Sequence, residues 1–229
     1  MQKFHSFCIS ASGEERGDGD LSARFPYWSF TKTVIAICAL KLSESGTLHL
    51  DGDINGEAYT LRQLLNHTAG LPDYGALKAY HDAVAAGEKP WSREKLRHAA
   101  LAKGMLFAPG EGWSYSNVGY MLAREHIEAA SGLDFAQLVA DIITTPLRLD
   151  SISLITTREQ FAELQCEAAG TYHPGWVYHG CLAGNVRAAA RLLPGLFRGR
   201  LLSAASLAHT HLTYPPRRPP PGRPWHVCG

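Results

Sequence analysis

The sequence predicts a single α/β domain of the α+β kind, and three observations point to it. The chain has 229 residues, enough for one well-buried domain and short for two independent ones. Helical patterns run from about residue 31 to residue 143 and again over 186–197, while residues 4–10 alternate as a strand does. Gly46, Gly132 and Gly199 stand just past helical patterns, where a left-handed cap is wanted. A composition of 45% hydrophobic and 19% charged residues fits a globular chain and argues against a disordered or fibrous one.

Taken in order, residues 4–10 alternate weakly and read as a strand, and 17–20 form a turn cluster before Phe25-Pro26. Residues 31–42 follow as a helix that is apolar almost all round and therefore belongs in a core, with Ser29 at or near its start. Residues 60–66 read as a short helix capped by Thr60, and 67–73 as turn. An amphipathic helix over 92–103, a turn at 109–112 and a long helix over 118–131 come next. Residues 134–143 read as a helix that stops before Pro146; 186–197 form a late helix, and Ser203 caps a short last one. No internal repeat is visible.

A net charge of +1, from 22 basic and 21 acidic residues, gives no general attraction to nucleic acid or membrane. The longest apolar run, 34–40, is far short of a membrane span. The first residues lack the apolar stretch of a secretory signal, so the expected compartment is the cytoplasm, or outside it if the true N-terminus is missing. Cys8, Cys38, Cys166, Cys181 and Cys228 include no Cys-x-x-Cys pair and read as free thiols. Residues 213–229 form a proline- and arginine-rich tail beyond a domain of 1–212. Its plain reading is an unpacked terminus, and its sharper one a ligand for an acidic partner or an aromatic-lined groove.

Chemistry enters at Ser29-Phe-Thr-Lys32, where a hydroxyl and an amine three residues apart share one face of a helix. Serine is a poor nucleophile without a base, and a lysine desolvated by the apolar helix around it can serve as one. The tetrapeptide is weak evidence alone, because Ser92-Arg-Glu-Lys95 repeats it at the head of a charged helix, where Ser92 is a cap and Lys95 is solvated. Tyr115 and Asn117 flank Ser116 in an extended turn, so a phenol and an amide can face one site. Their plain reading is as turn and cap residues for the following helix.

These residues stand in five blocks: Ser29-Phe-Thr-Lys-Thr33, residues 42–51, residues 64–74 with Leu-Leu-Asn-His-Thr-Ala-Gly-Leu-Pro-Asp-Tyr, residues 109–120, and Thr145-Pro-Leu147. In this order they resemble the serine β-lactamase and penicillin-binding protein family, especially its class C-like branch of esterases and D-aminopeptidases. The resemblance covers roughly residues 25–150. It implies a β-lactamase/transpeptidase-like fold, with a helical lobe at about 50–140 packed on a mixed or antiparallel sheet lobe that is incomplete here. It also implies Ser29 as the acylated nucleophile, Lys32 as its base, Tyr115 as a second proton-transfer residue and Asn117 as a substrate ligand. The Ser29 backbone N–H would supply half of an oxyanion hole, and His67 reads as scaffold.

The family's third motif, Lys-Thr-Gly or His-x-Gly on a late strand, has no good match. No lysine follows Lys103, and His173-Pro-Gly175 places a proline where a strand needs a donor. The expected protein is thus shortened relative to its relatives at the back and perhaps at the front. Its expected activity is that of a serine hydrolase acting on β-lactams, D-amino-acid peptides or small esters, impaired by the missing motif. The rival reading is a non-catalytic relative that keeps the pocket and only binds. No cofactor is expected, and His209-Thr-His211 lacks a third ligand for a metal.

Overall fold

The computed structural model describes residues 4–168 and 170–210. Two strands open the chain, β1 (Ser6–Ile9) and β2 (Glu15–Asp18), paired antiparallel with Phe7 opposite Gly17. Gly17 and Asp18 therefore belong to a strand, not to a turn as their composition suggests. Pairing with β1 extends them, and the bend falls one residue later, at Gly19 with φ 79°. A short β3 (Arg24–Pro26) leads to a single 3₁₀ turn at Trp28–Phe30 and then to α1 (Thr31–Glu44).

Helix α1 lies at the centre of the molecule. Val34, Ile35, Cys38 and Ala39 are fully buried, as a helix apolar all round must be. Around it pack α2 (Leu61–Leu65), α5 (Asn117–Ser131) and α6 (Phe135–Val139), which bury Leu61, Leu64, Ile127 and Phe135 in the same core. Thr60 caps α2 in a reciprocal box with Gln63, and Gly132 closes α5 in the left-handed region. Between α2 and α5 run α3 (Lys78–Ala85) and α4 (Arg93–Leu101), which build a second, aromatic cluster around Tyr74, Tyr80 and Trp176.

The helix over 134–143 does not stop before Pro146. It passes through a π-helical turn at Ala140–Thr144 into α7 (Thr145–Leu147). Pro146 sits in the first turn of that piece, where no intrahelical donor is required of it, so the proline continues the helix instead of ending it. Strand β4 (Ser153–Ile155), α8 (Arg158–Ala162) and β5 (Cys181–Asn185) follow, and β5 runs directly into α9 (Val186–Phe197). Last comes α10 (Ala204–Thr210), capped by Ser203, which makes His209 helical; His211 and the 213–229 tail lie outside the described residues. Cys8, Cys38, Cys166 and Cys181 are free thiols, and Cys228 also lies outside the described residues.

Strands β3, β5 and β4 form an antiparallel sheet in that order, with Phe25 opposite Gly184 and Leu154 opposite Leu182. The fold is thus a helical lobe beside small antiparallel sheets, as expected of a β-lactamase/transpeptidase-like chain. Among the described residues no helix is long and apolar enough to cross a membrane.

The segment carrying residues 105–116 is laid on the turn after α2 by three backbone bonds: Leu106 N–H to Gly70 O, Gly110 N–H to Thr68 O and Ser114 N–H to His67 O. Gly70 has φ 76°, and a Cβ there would overlap the Phe107 carbonyl oxygen. Gly70→Ala should therefore cost more than about 1 kcal/mol. The measurement is a urea titration, and an unchanged midpoint would show that the two segments do not depend on this contact.

Candidate active site

Ser29 lies in the 3₁₀ turn between β3 and α1, and β5 fixes that turn from both sides. The Tyr27 N–H donates to Leu182 O at 2.7 Å, and the Leu182 N–H donates to Thr31 Oγ1 at 3.4 Å. Tyr27 also donates its hydroxyl to Asn185 O across Gly184, where any Cβ would collide with that hydroxyl. Trp28, immediately before Ser29, has φ 45°, a strained value for a large side chain at a turn that presents a hydroxyl. Its ring packs edge-on against Phe161 and Tyr172.

Three of the sequence-predicted residues meet here. Ser29 Oγ lies 2.7 Å from the Tyr115 hydroxyl, and Lys32 Nζ lies 3.3 Å from Ser29 Oγ. Lys32 is only 5% exposed, and burial pulls its pKa down to about 8, against an opposing pull from the Asp73 carboxylate. An amine whose charge is disfavoured by burial can accept the proton of the hydroxyl beside it. Ser92, by contrast, caps α4 by accepting from the Lys95 N–H, and Lys95 lies over the Trp91 ring.

Asn117 does not touch this trio. Its N–H and its Nδ2 both donate to the Asp73 carboxylate, at 2.9 and 3.2 Å, so it is held at the head of α5 by an acid well placed for a helix N-terminus. Nor do Tyr115 and Asn117 face one cavity, as their alternation suggests. Tyr115 lines an apolar cavity of about 540 Å³ that runs from Ser29 and Lys32 along Ala36, Ile37 and Leu40 to Phe197. Asn117 lines a smaller aromatic one of about 230 Å³ with Trp28, Tyr74, Tyr172 and Trp176. Ser29 lines both, and Ser116 turns inward to cap α5, donating to Pro72 O while accepting from the Gly119 N–H.

His67 takes the scaffold place. With φ 63°, it accepts the Ser116 N–H on Nδ1 at 3.1 Å and lays its ring 4.7 Å from that of Tyr115. Burial and the Lys32 charge bring its pKa down to about 4, so the ring is neutral and able to accept. His173 sits on no strand. It caps the 3₁₀ turn Pro174–Trp176 by accepting the Gly175 N–H, which removes it as a third-motif residue.

Two residues escaped the sequence reading. Asp73 stands inside a quoted block, and its spacing to Asn117 carries no recognisable pattern. His179, 4% exposed, brings Nε2 to 3.3 Å from Lys32 Nζ across 147 positions of sequence. No local signal marks it. Burial first, and then the Lys32 charge, push its pKa down to about 3.

Comparison with known proteins gives the family and the fold. Penicillin-binding protein 4* of Bacillus subtilis (strain 168) is 31% identical over 182 residues, 76% of this chain and 39% of that protein. The D-alanyl-D-alanine-carboxypeptidase/endopeptidase AmpH of Escherichia coli (strain K12) is 27% identical over 155 residues, 62% of this chain and 40% of its own length. The chain thus spans about two fifths of the length of these curated relatives. Among solved structures, a D-stereospecific amidohydrolase from Streptomyces sp. shares the fold with a TM-score of 0.78 at 24% identity, covering 92% of this chain and 72% of that one. The sequence profile of the Beta-lactamase family matches residues 17–226, almost the whole chain, and on that match the chain belongs to the beta-lactamase family.

Proposed function

We propose that this chain is a serine hydrolase that forms an acyl-enzyme at Ser29. The observation that carries the reading is the contact of Ser29 Oγ with both the Tyr115 hydroxyl and a buried Lys32 amine. In the first step the neutral amine takes the Ser29 proton while Oγ bonds to the substrate carbonyl carbon, and the carbonyl π pair moves onto oxygen. The Ser29 N–H stabilises that oxyanion. Tyr115, hydrogen-bonded to Oγ, gives its proton to the leaving group as the tetrahedral adduct collapses, and the Lys32 ammonium gives the phenolate a proton in return. Asn117 binds the substrate carbonyl from the aromatic side; Lys32 then takes a proton from water as its oxygen bonds to the acyl carbon, and Oγ leaves with that proton as the acid is released. The relatives' names, a carboxypeptidase/endopeptidase, a D-aminopeptidase, an esterase and a penicillin-binding protein, support D-amino-acid peptides, small esters and β-lactams as substrates.

Labelling with a fluorescent penicillin or a fluorophosphonate, followed by mass spectrometry of the labelled peptide, should place the label on Ser29, and Ser29→Ala should abolish it. Label on Ser92 or Ser116, or undiminished labelling of Ser29→Ala, would refute the assignment.

Acylation needs the amine neutral, so its rate should climb as pH rises through about 8 and level off above. Lys32→Arg, which cannot lose its proton, should not follow that curve. The same group sets a stability trend. Its folded pKa of about 8 lies below the ordinary 10.5, so the folded state carries the full cost of a buried charge below pH 8 and sheds it between pH 8 and 10.5. Lys32→Met should therefore stabilise the protein at pH 7 by up to about 3 kcal/mol, a gain that shrinks toward pH 10.5. Urea titrations at pH 7 and 10 with equal differences would contradict the assigned burial cost.

With no Lys-Thr-Gly or His-x-Gly strand to give a substrate-carboxylate anchor, acylation should survive better than turnover. Against a median enzyme turnover of about 10 per second, this chain should stay below about 0.1 per second on nitrocefin or a nitrophenyl ester. Faster turnover by the purified chain would show that other residues supply what the motif provides.

A further inference from the structure

His179 lies between the 3₁₀ turn at Pro174–Trp176 and β5, and the reaction just described does not use it. Its Nε2 is 3.3 Å from Lys32 Nζ and 3.5 Å from the Trp28 carbonyl oxygen. Its Nδ1 is buried with no hydrogen-bond partner among the described residues. Leaving a buried polar atom unpaired costs about 1–3 kcal/mol, a cost that leucine or methionine would avoid if the ring were there only to fill space.

We propose that His179 is a positioning residue for Lys32: its neutral imidazole accepts one Lys32 N–H on Nε2 and so turns the lysine lone pair toward the Ser29 hydroxyl. This inference rests on the reading of Ser29 and Lys32 as nucleophile and base. A neutral amine has two N–H groups and one lone pair. The Ser29 proton must arrive on the lone pair, so the N–H groups need acceptors elsewhere. Tyr115 and Tyr120 present ring faces to Nζ, at 4.9 and 5.6 Å, which leaves Nε2 as the directional acceptor.

This role requires one tautomer of the ring. With its hydrogen on Nδ1, the ring offers a lone pair at Nε2 and leaves the lysine lone pair free. With its hydrogen on Nε2, the ring would point that hydrogen at the Trp28 carbonyl and at Nζ, and would occupy the base. No proton is exchanged with His179 in the cycle. When Lys32 takes the Ser29 proton, the bond to Nε2 becomes charge-assisted and steadies the ammonium as Oγ bonds to carbon.

The charged and titratable neighbours are consistent with a ring that stays neutral. Lys32 of α1 and Arg124 of α5 both oppose its protonation, and Arg124 is itself paired with Glu128. On its other sides Lys32 meets Ser29, Tyr115, Tyr120, His67 and the more distant Asp73. His179 therefore adds no pH limb of its own over the range in which Lys32 titrates.

The test follows the rate of Ser29 labelling by the fluorescent penicillin from pH 6 to 10 in the wild-type chain and in three variants. His179→Leu removes the acceptor and should slow acylation on the order of 100-fold, with the probe's dissociation constant little changed. His179→Gln, whose amide oxygen still accepts, should stay within about tenfold of the wild type. His179→Glu sets a carboxylate beside the amine and should move the rise in rate to higher pH by about one unit or more. Equal losses in the Leu and Gln variants, a Leu variant at the wild-type rate, or a Glu variant with the wild-type pH profile would each overturn the proposal. If the Leu variant fails to fold, the Gln rate and the Glu profile still decide. Absence of Ser29 labelling in the wild-type chain would instead remove the underlying serine hydrolase reading.

Discussion

The structure depends most on the way β5 grips the turn ahead of α1. Leu182 uses its carbonyl on one side of Ser29, at Tyr27, and its N–H on the other, at Thr31. One residue of a buried strand thereby fixes where the Ser29 turn ends and α1 begins. The same strand pairs β3 on one edge and β4 on the other, so the sheet has no freedom to shift without moving the serine. Gly184 lets the Tyr27 ring lie against the strand, and the ring's hydroxyl ties the far end of β5 back to the turn.

The second wall of the site is held as firmly, by a different device. Tyr115 is carried on a segment without regular structure, yet its backbone is bonded to the turn after α2 at three places, and the neighbouring Ser116 N–H is received by His67. Asp73, from the same turn region, binds the head of α5 through Asn117. A mobile loop would supply a phenol at variable distance. Here the hydroxyl is delivered by a framework built from backbone bonds, so the 2.7 Å contact with Ser29 does not depend on the tyrosine side chain alone.

The site was legible in the sequence where chemistry and local periodicity coincide. Lys32, one turn on from Ser29, opens a helix that is apolar almost all round, and that pattern points to a desolvated lysine. The caps at Thr60, Ser92 and Gly132 were equally readable, because capping is local. What could not be read is what the fold imports from afar. Cys181–Asn185 is too short and too rich in small residues to declare itself a strand, and only β3 and β4 make it one. His179 reaches Lys32 from 147 residues away. Gly17 looks like a turn until β1 is laid beside it, and Pro146 looks like a stop until a π-helical turn has re-phased the helix ahead of it.

The amino-terminal hairpin has a consequence of another kind. Strands β1 and β2 make a two-stranded ribbon, a unit that is marginal in water unless something covers it. Its cover is α9, through the contact of Arg187 with the Phe7 ring and the partly exposed Arg191–Glu15 ion pair. The β3–β5–β4 sheet is anchored instead by the fully buried Leu182 and Ala183. The two sheets therefore occupy different levels of the opening hierarchy. Amide hydrogens of the ribbon should exchange through local fraying and those of β5 only as the whole domain unfolds, so the Ser29 turn should be insulated from the breathing of the ribbon.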